Sequence, residues 1–285
     1  MSILFDPEAA VAAFSLPACD GGFHADLADY LGELGQRRPS VLLAFAPKSA
    51  GTYLRSAAIV AIQGALVRTV HAQGGRDASF YLPTFLLYYA GNFPARPMVT
   101  HVHMQALPAN RHFIEVFGLK PAIMLRAIPD MLASYWDMLD RDPHSPDNWI
   151  NAQVPAHFGQ MDQAARGDFL IDIFGPWYAS YFATWLEYAA AAPGDVLVLD
   201  FDAFRADPAE ALAQLLAHSG FPTSRLDCQM ALNTVWEDRK AFRFNRGGTS
   251  RGAERFSPEQ IARLRKQLSY YPNLEGMVEK LVPRS

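Results

Sequence analysis

Apolar residues in this chain occur in two patterns: short continuous runs, and longer segments in which they recur every three or four positions. A continuous run of about four to eight apolar residues is typical of a strand buried on both faces, and the wider spacing is typical of an amphipathic helix. The predicted strands are residues 41–46, 98–102, 121–125 and 195–201. The helices predicted between and after them are residues 52–66, 110–117, 129–139, 176–192, 208–219, 225–236 and 258–268.

Strands that alternate with helices, without hairpin signals, predict an α/β fold with a central parallel sheet covered by helices on both faces. No repeat, low-complexity tract or clear linker divides the chain, so residues 1–285 are predicted to form a single domain. Residues 1–38 are interpreted as a helical lead-in. The aromatic residues 67–97 either pack into the core or line a substrate pocket, and the polar residues 141–176 are predicted to begin with a loop or lid.

Composition limits where the protein acts and what it binds. The formal net charge of −4 gives no overall basic field for nucleic acid or a membrane surface, so any anion site must be local. Cys19 and Cys228 have no disulfide or metal spacing and indicate free thiols in a reducing compartment. Neither a signal peptide nor a transmembrane run is recognisable, and we expect a cytoplasmic protein. Residues 281–285 resemble a protease site left by an expression vector and are given no role.

The first apolar run leads into a candidate phosphate loop. It breaks at Pro47, passes through small residues and resumes as the helix predicted from Thr52. A strand, a tight loop and a helix N-terminus bind phosphate through converging backbone N–H groups and the helix dipole. Lys48 supplies a positive charge, and Ser49 and Thr52 supply hydroxyl donors. Ala50 and Gly51 are small and let a ligand approach the backbone.

This loop differs from the Walker A sequence G-x-x-x-x-G-K-[ST]. Lys48 opens the loop instead of closing it, and no glycine precedes it in the turn. A phosphate cradle is therefore expected, without the metal-bound triphosphate of an NTPase and with no metal. The alternative is an ordinary strand-to-helix turn with a surface lysine.

Two other predicted strands end in groups that can meet this loop. His101 lies on the strand at residues 98–102, and Arg126 directly follows the strand at residues 121–125. The carboxyl ends of parallel strands share one edge of a sheet, so Lys48, His101 and Arg126 are predicted to face one crevice. Arg126 and Ser134 form a possible second phosphate receptor, and the alternative is a surface ion pair with a capping serine.

Taken together, these segments resemble the sulfotransferases that use 3′-phosphoadenosine-5′-phosphosulfate (PAPS). Residues 48–54 resemble their first signature, K-[ST]-G-T-T-W-L, and residues 126–135 resemble their second, R-N-P-x-D-x-x-x-S-Y. Weaker similarities follow in the same order at residues 99–108 (K-T-H-L-P-L-Q-x-L-P), 201–208 (Y-E-D-L-x-x-D-P), 235–240 (S-F-E-x-M-K) and 246–252 (R-K-G-x-x-G). The resemblance implies a P-loop-NTPase-like, three-layer α/β/α domain, with PAPS as sulfonate donor and adenosine 3′,5′-bisphosphate (PAP) as product.

The resemblance also implies a role for each matching residue. His101 is expected to be the general base for an acceptor hydroxyl or amine, and Lys48 to stabilise the leaving phosphate. The residues expected to hold the 5′-phosphosulfate are Lys48, Ser49, Ala50, Gly51 and Thr52. Those expected to hold the 3′-phosphate are Arg126, Ser134, Arg246, Gly247 and Gly248. The aromatic residues expected to flank adenine are Tyr53, Trp236 and Phe201.

Several alternatives stay open at this point. His103 could share or replace the role of His101, and Arg251 could do the work assigned to Arg246. The chain could instead be a P-loop-type small-molecule kinase, or a nucleotide-binding protein without turnover. The acceptor, a small molecule or a group tethered to a carrier, would be recognised by residues 67–97 and 141–176. The sequence identifies neither the acceptor nor the oligomeric state.

Overall fold

The computed structural model describes residues 39–67, 80, 85, 96–141, 154–237 and 251–284. The strands of its central sheet are β1 (Ser40–Leu43), β2 (Ala65–Leu66), β3 (Met98–His101), β4 (Pro121–Leu125) and β5 (Leu197–Asp200). They are ordered β2-β3-β1-β4-β5, and every pairing is parallel. The prediction of a parallel α/β sheet is confirmed.

Eleven helices are described. They are α1 (Gly51–Ala61), α2 (Pro108–Val116), α3 (Ile128–Arg141), α4 (Gln163–Phe169), α5 (Gly175–Ala191), α6 (Phe201–Ala206), α7 (Pro208–His218), α8 (Arg225–Glu237), α9 (Arg251–Arg255), α10 (Pro258–Leu268) and α11 (Val278–Leu281). A π-helical turn, Leu170–Phe174, joins α4 to α5, and 3₁₀ turns occupy Phe158–Gln160 and Pro272–Met277.

Alternate residues of β1 enter two separate hydrophobic cores. Leu42 faces the core formed with α2, α3, α5 and α10, whereas Val41 and Leu43 face the core formed with α1, α6, α7 and α8. Successive side chains of a strand point to opposite faces, so the continuous apolar run of β1 is what a strand buried on both faces requires. The result is a three-layer α/β/α arrangement, as the resemblance implied.

The central strand β1 also marks the place where a ligand can bind. Its neighbours are β3 on one side and β4 on the other, with Leu43 opposite both His101 and Ala122. The chain therefore leaves β1 towards one edge of the sheet and later returns to the other side. Such a switch point opens a crevice at the carboxyl ends of the strands.

The helix predicted over residues 52–66 is shorter than expected. It ends at Ala61, Gln63 takes a left-handed φ of 50°, and the next residues form strand β2 at the sheet edge. A Cβ at Gly64 would lie 2.9 Å from a methyl group of Val99, so the chain turns close against β3. The helix was predicted to continue to residue 66 because the spacing of apolar residues does not reveal the turn after Ala61.

The segment predicted as a loop or lid is largely helical where it is described. Asp162 caps α4 by accepting a hydrogen bond from the Ala165 N–H at 2.8 Å, and the helix then continues through the π turn into α5. Gln267 donates to the Ile171 carbonyl of that turn at 3.0 Å. Residues 142–153, 68–79, 81–84 and 86–95 lie outside the described part of the chain.

The described part of the aromatic segment, Phe80 and Phe85, packs against α2. Phe80 stacks on Phe113 with ring centroids 4.7 Å apart, and Phe85 is fully buried beside Phe117. At these two positions the core-packing alternative is the one that the structure shows.

The C-terminal residues have a role that the sequence reading did not give them. Leu281 and Val282 are fully buried in the core, and Arg265 donates to the Val282 carbonyl at 2.5 Å. The motif at residues 281–285 therefore supplies core side chains, whatever its origin. Within the described ranges, none of the helices is long and apolar enough to cross a membrane.

Candidate anion-binding and catalytic site

The loop between β1 and α1 has a backbone shaped for an anion. Lys48 and Ala50 both adopt left-handed conformations, with φ of 66° and 67°. Such conformations are rare in non-glycine residues and turn successive N–H groups into a concavity. Ala50 caps α1 without a side-chain hydrogen bond, so the first N–H groups of the helix point into the same space. The loop predicted to bind phosphate therefore has the geometry for it.

Helix α5 holds this loop from behind. The Tyr181 hydroxyl donates to the Ala44 carbonyl at 2.5 Å, and the Tyr178 hydroxyl donates to the Pro47 carbonyl at 3.1 Å. The Trp185 indole N–H donates to the Met104 carbonyl at 2.8 Å, in the segment after β3. All three aromatic side chains are buried. The sequence reading missed them, although their spacing of three and four residues places them on one helix face.

The two predicted hydroxyl donors of the loop differ in position. Ser49 is fully buried and donates to the Ala46 carbonyl at 2.5 Å, which closes the turn. Thr52 lies half-buried in the first turn of α1. A bound anion would have to compete with a backbone carbonyl for Ser49, whereas Thr52 lies at the helix N-terminus that faces the anion.

His101 ends β3 and lies directly over the loop. Gly51 has no room for a side chain, because a Cβ there would lie 2.5 Å from His101 Cε1, and closer still to Nε2. The edge of the ring that carries Nε2 therefore faces the N-terminus of α1. The prediction that His101 and the loop share one crevice agrees with this arrangement.

His103 lies beside His101 but is bound to the backbone. Its Nδ1 donates to the Phe45 carbonyl at 2.7 Å, and its ring is perpendicular to that of His101 with centroids 4.8 Å apart. A carbonyl only accepts, so His103 carries a proton on Nδ1. His101 is thus the histidine whose Nε2 faces the start of α1, and His103 is held to the backbone beside it.

Lys48 is held at its backbone and at its side chain. Arg126 donates to the Lys48 carbonyl at 2.5 Å, and the Lys48 ammonium lies 2.9 Å from the sulfur of Met138 in α3. Both partners belong to the unit formed by β4 and α3. Arg126, the cation of the second predicted phosphate receptor, thus hydrogen-bonds to the loop that forms the first.

Arg126 is a buried cation in a field of mixed charge. It is 7% exposed, and its pKa is lowered to about 10, chiefly by burial; Asp130 opposes the shift, and Arg251 and Arg205 contribute to it. Even so, the guanidinium stays charged at neutral pH. Two further guanidinium groups, those of Arg251 and Arg205, therefore act electrostatically on Arg126. The sequence reading named Arg126 and Arg251 and missed Arg205.

Phe201 lies under Arg126. The guanidinium carbon lies 4.0 Å from the centre of the Phe201 ring, an arrangement typical of a cation–π contact. Phe201 is buried there, and one of its faces is taken by Arg126. It was predicted to flank adenine, and the contact that the structure shows is with the arginine.

Helix α9 docks along α3. Asp130 accepts a hydrogen bond from the Gly252 N–H at 2.8 Å, and a Cβ at Gly252 would lie 2.8 Å from the carbonyl carbon of Pro129. Arg251 pairs with Asp137. Ser134 is buried one turn beyond Asp130. The predicted Arg246, Gly247 and Gly248 lie outside the described residues, just before this docked helix.

An aromatic group forms around Tyr53 in the first turn of α1. The Tyr53 ring makes edge contacts with Trp236 at 6.2 Å and with Phe204 at 6.4 Å between centroids. The Tyr53 hydroxyl donates to the Leu232 carbonyl at 3.4 Å, and burial raises its pKa, so the group stays neutral. Trp236 is 42% exposed and offers a surface on which a flat ring can lie.

The structure thus brings the loop, His101, Lys48 and Arg126 to one crevice, with Tyr53 and Trp236 beside it. Among the described residues, no group of three His, Cys, Asp or Glu side chains is placed to hold a metal ion.

No protein-family model matches the sequence, and no curated protein matches it significantly. Among solved structures, mouse sulfotransferase SULT7A1 complexed with PAP matches with a TM-score of 0.60 at 12% sequence identity, over 89% of this chain and 92% of that chain. A sulfotransferase from Alicyclobacillus acidocaldarius matches at 12% identity over 85% of this chain and 96% of that one, with a TM-score of 0.48, too low to carry an argument. The chain therefore has the sulfotransferase fold.

Proposed function

We propose that this chain is a sulfotransferase that moves the sulfonate of PAPS to a hydroxyl or amine of an acceptor. The observation that carries the proposal is the meeting of Lys48, His101 and Arg126 at the anion-binding loop. The sulfotransferase fold and the mouse structure that contains PAP support it. The acceptor is a small molecule or a group tethered to a carrier.

The donor set fits a ligand with two separate anionic groups. The first receptor is the loop, where left-handed Lys48 and Ala50 turn N–H groups inward and Gly51 leaves space only for the His101 ring. The second is Arg126, whose buried guanidinium is joined electrostatically by Arg205 and Arg251. We assign the 5′-phosphosulfate to the loop and the 3′-phosphate to the arginines together with Ser134 and residues 246–248.

The side chains at the loop have complementary tasks. PAPS, when bound, supplies an activated sulfonate attached to a phosphate leaving group. His101 takes the acceptor proton on Nε2, the atom on the ring edge that faces α1. Lys48 places its ammonium where negative charge grows as the phosphate leaves. His103 keeps its proton on Nδ1 and donates it in a hydrogen bond to the Phe45 carbonyl. Its ring supports the position of the His101 ring.

The remaining contacts fit the adenosine and the acceptor. Tyr53 and Trp236 form the aromatic surface for adenine, because ring faces stack on bases. Phe201 acts through Arg126, whose guanidinium rests on its ring. Residues 67–97 and 141–176 recognise the acceptor.

The test is a calorimetric titration of the full chain with PAP, with and without Mg²⁺, and with ATP as the competing ligand. We expect micromolar or tighter binding of PAP, independent of Mg²⁺ and much stronger than binding of ATP. Arg126→Gln should weaken PAP binding at least tenfold, since hydrogen bonds from charged groups contribute about 1.5–3 kcal/mol. Arg263→Gln, which removes an exposed ion pair with Asp168, is the matched control and should bind as the unaltered chain does.

Three outcomes would overturn the proposal. Absence of PAP binding would remove the donor site. Preference for ATP that depends on Mg²⁺ would favour a small-molecule kinase. PAP binding without turnover on a broad panel of phenols, alcohols and amines would leave the nucleotide-binding alternative.

A further inference from the structure

Lys48 is held by contacts at both its backbone and its side chain. Its backbone is in the left-handed region, its carbonyl accepts from Arg126 at 2.5 Å, and its ammonium contacts the Met138 sulfur at 2.9 Å. Arg126 and Met138 are twelve residues apart in one strand–helix unit. This unit therefore contacts both the backbone and the ammonium of Lys48, the residue that our proposed function brings into contact with PAPS.

The Met138 sulfur is a chemically unusual partner for this ammonium. A thioether sulfur is a weak hydrogen-bond acceptor, whereas buried ammonium groups ordinarily meet carboxylates or carbonyls. Met138 is 8% exposed on α3 and Lys48 is half-buried, so the contact is partly sheltered from water. A weak, partly sheltered contact holds a long side chain in one place and is given up at little cost when a phosphate oxygen arrives.

We propose that Met138 is a positioning residue for Lys48. Its sulfur keeps the ammonium beside the loop before the donor binds and yields it to the donor afterwards. The inference rests on the proposed function, because it requires that Lys48 contacts the phosphosulfate. It adds a residue that lies outside every motif in the sequence.

The position of Met138 on α3 supports this role. It lies one helical turn after Ser134, and the four-residue spacing places both on one face of the helix. The helix face that carries Ser134, a proposed phosphate contact, therefore also carries Met138, which contacts the Lys48 ammonium.

The test compares three residues at position 138, each with Lys48 and with Lys48→Ala, by calorimetric titration with PAP. Met138→Gln replaces sulfur with an amide oxygen, which accepts from an ammonium more strongly, and should weaken PAP binding about fivefold. Met138→Leu conserves volume without an acceptor, so the ammonium is no longer held beside the loop, and PAP binding should weaken about threefold because the side chain must be ordered on binding. In the Lys48→Ala background all three should bind PAP equally, because the ammonium that Met138 positions is gone.

A second measurement does not depend on the glutamine variant being folded. The methionine methyl groups are labelled with ¹³C, and the Met138 resonance is assigned from its loss in Met138→Leu. We expect this resonance to move on addition of PAP, and to move without PAP in Lys48→Ala, which should then respond weakly to PAP. Met131→Leu, a buried methionine two turns earlier on α3, is the control for losing a methionine from the helix.

The outcomes separate the two proposals. If the unaltered chain does not bind PAP, the proposed function fails and this inference fails with it. If PAP binds but Met138→Gln weakens binding equally with and without the Lys48 side chain, Met138 only fills space. A Met138 resonance that ignores both PAP and Lys48→Ala would have the same meaning.

Discussion

The loop between β1 and α1 has two sides that are built from different chemistry. Behind it, Tyr178 and Tyr181 of α5 donate neutral hydrogen bonds to loop carbonyls and are fully buried. In front of it lie His101, Lys48 and Arg126, which are charged or titratable and come from strand ends or from the loop itself.

The difference shows how the work is divided. The back of the loop fixes the shape of the backbone, because buried hydroxyls donate to the carbonyls of Ala44 and Pro47. The front supplies charge and a proton acceptor to whatever binds. Replacing the charged or titratable side chains in front should therefore change turnover or binding more than stability, and substitutions behind should change stability first.

The largest expected effect is at the front. His101→Gln removes the proposed base but keeps a polar side chain, and we expect turnover to fall about 10²–10⁴-fold. The measurement is initial rate with PAPS and an acceptor found by screening, beside PAP affinity by calorimetry. PAP affinity should stay within about threefold, because the histidine acts on the acceptor. His112→Gln on the surface of α2 is the control and should have normal turnover.

If His101→Gln kept its turnover, a group other than His101 would be the general base. The next variant is then His103→Gln, which tests whether the neighbouring ring takes the proton. A loss of turnover there alone would reverse the roles that we give to the two histidines.

The next effect tests how tightly the front is assembled. Gly51→Ala introduces a methyl group that overlaps the His101 ring, so either the ring or the start of α1 must move. We expect PAP affinity to fall at least about tenfold and the melting temperature to drop, since overpacking costs about 1–3 kcal/mol. Differential scanning fluorimetry and calorimetry measure both.

The clash can be removed from the other partner. In a His101→Ala background the methyl group of Gly51→Ala has space, and the melting temperature should recover. Gly276→Ala, where no atom lies within 4 Å of the new Cβ, is the control for adding a methyl group. A Gly51→Ala penalty that persists without the His101 ring would mean that the backbone conformation, and not the close approach, needs glycine.

The front of the loop could be predicted from the sequence and the back could not. Strands buried on both faces have a continuous apolar signature, so the ends of β1, β3 and β4 were found, and with them Lys48, His101 and Arg126. Tyr178 and Tyr181 donate to backbone carbonyls, and any residue has a carbonyl. Such a contact therefore leaves no pattern in the loop sequence.

Contacts between distant side chains were also beyond the sequence. The stacking of Arg126 on Phe201 and the contact of Lys48 with Met138 depend on how β5 and α3 pack beside the loop. The short edge strand β2 was read as helix, because a two-residue strand is too brief to show an alternation. The elements were thus predictable, and the pairing of their side chains required the structure.

A smaller effect is expected behind the loop. Tyr181→Phe keeps the buried ring and leaves the Ala44 carbonyl without its donor, which costs about 1–3 kcal/mol. We expect a lower midpoint in urea unfolding with an unchanged slope, while turnover at a temperature where the chain stays folded is altered less than threefold. Tyr270→Phe removes a hydroxyl that is already in water and should leave the midpoint unchanged. If Tyr181→Phe lowered turnover as much as His101→Gln does, the division between front and back would be wrong.

The smallest effect extends the comparison to the aromatic surface beside the loop. Trp236 is 42% exposed, so Trp236→Ala should cost little stability. We expect PAP affinity to fall about fivefold, at the low end of base stacking, because Tyr53 keeps one edge of the site. Leu226→Ala removes an exposed apolar side chain near the other end of the same helix and should bind PAP normally. Bisphosphates without adenosine should bind both variants equally, because they present no ring to Trp236. If they bound Trp236→Ala more weakly than Leu226→Ala, Trp236 would act on the loop and not on adenine.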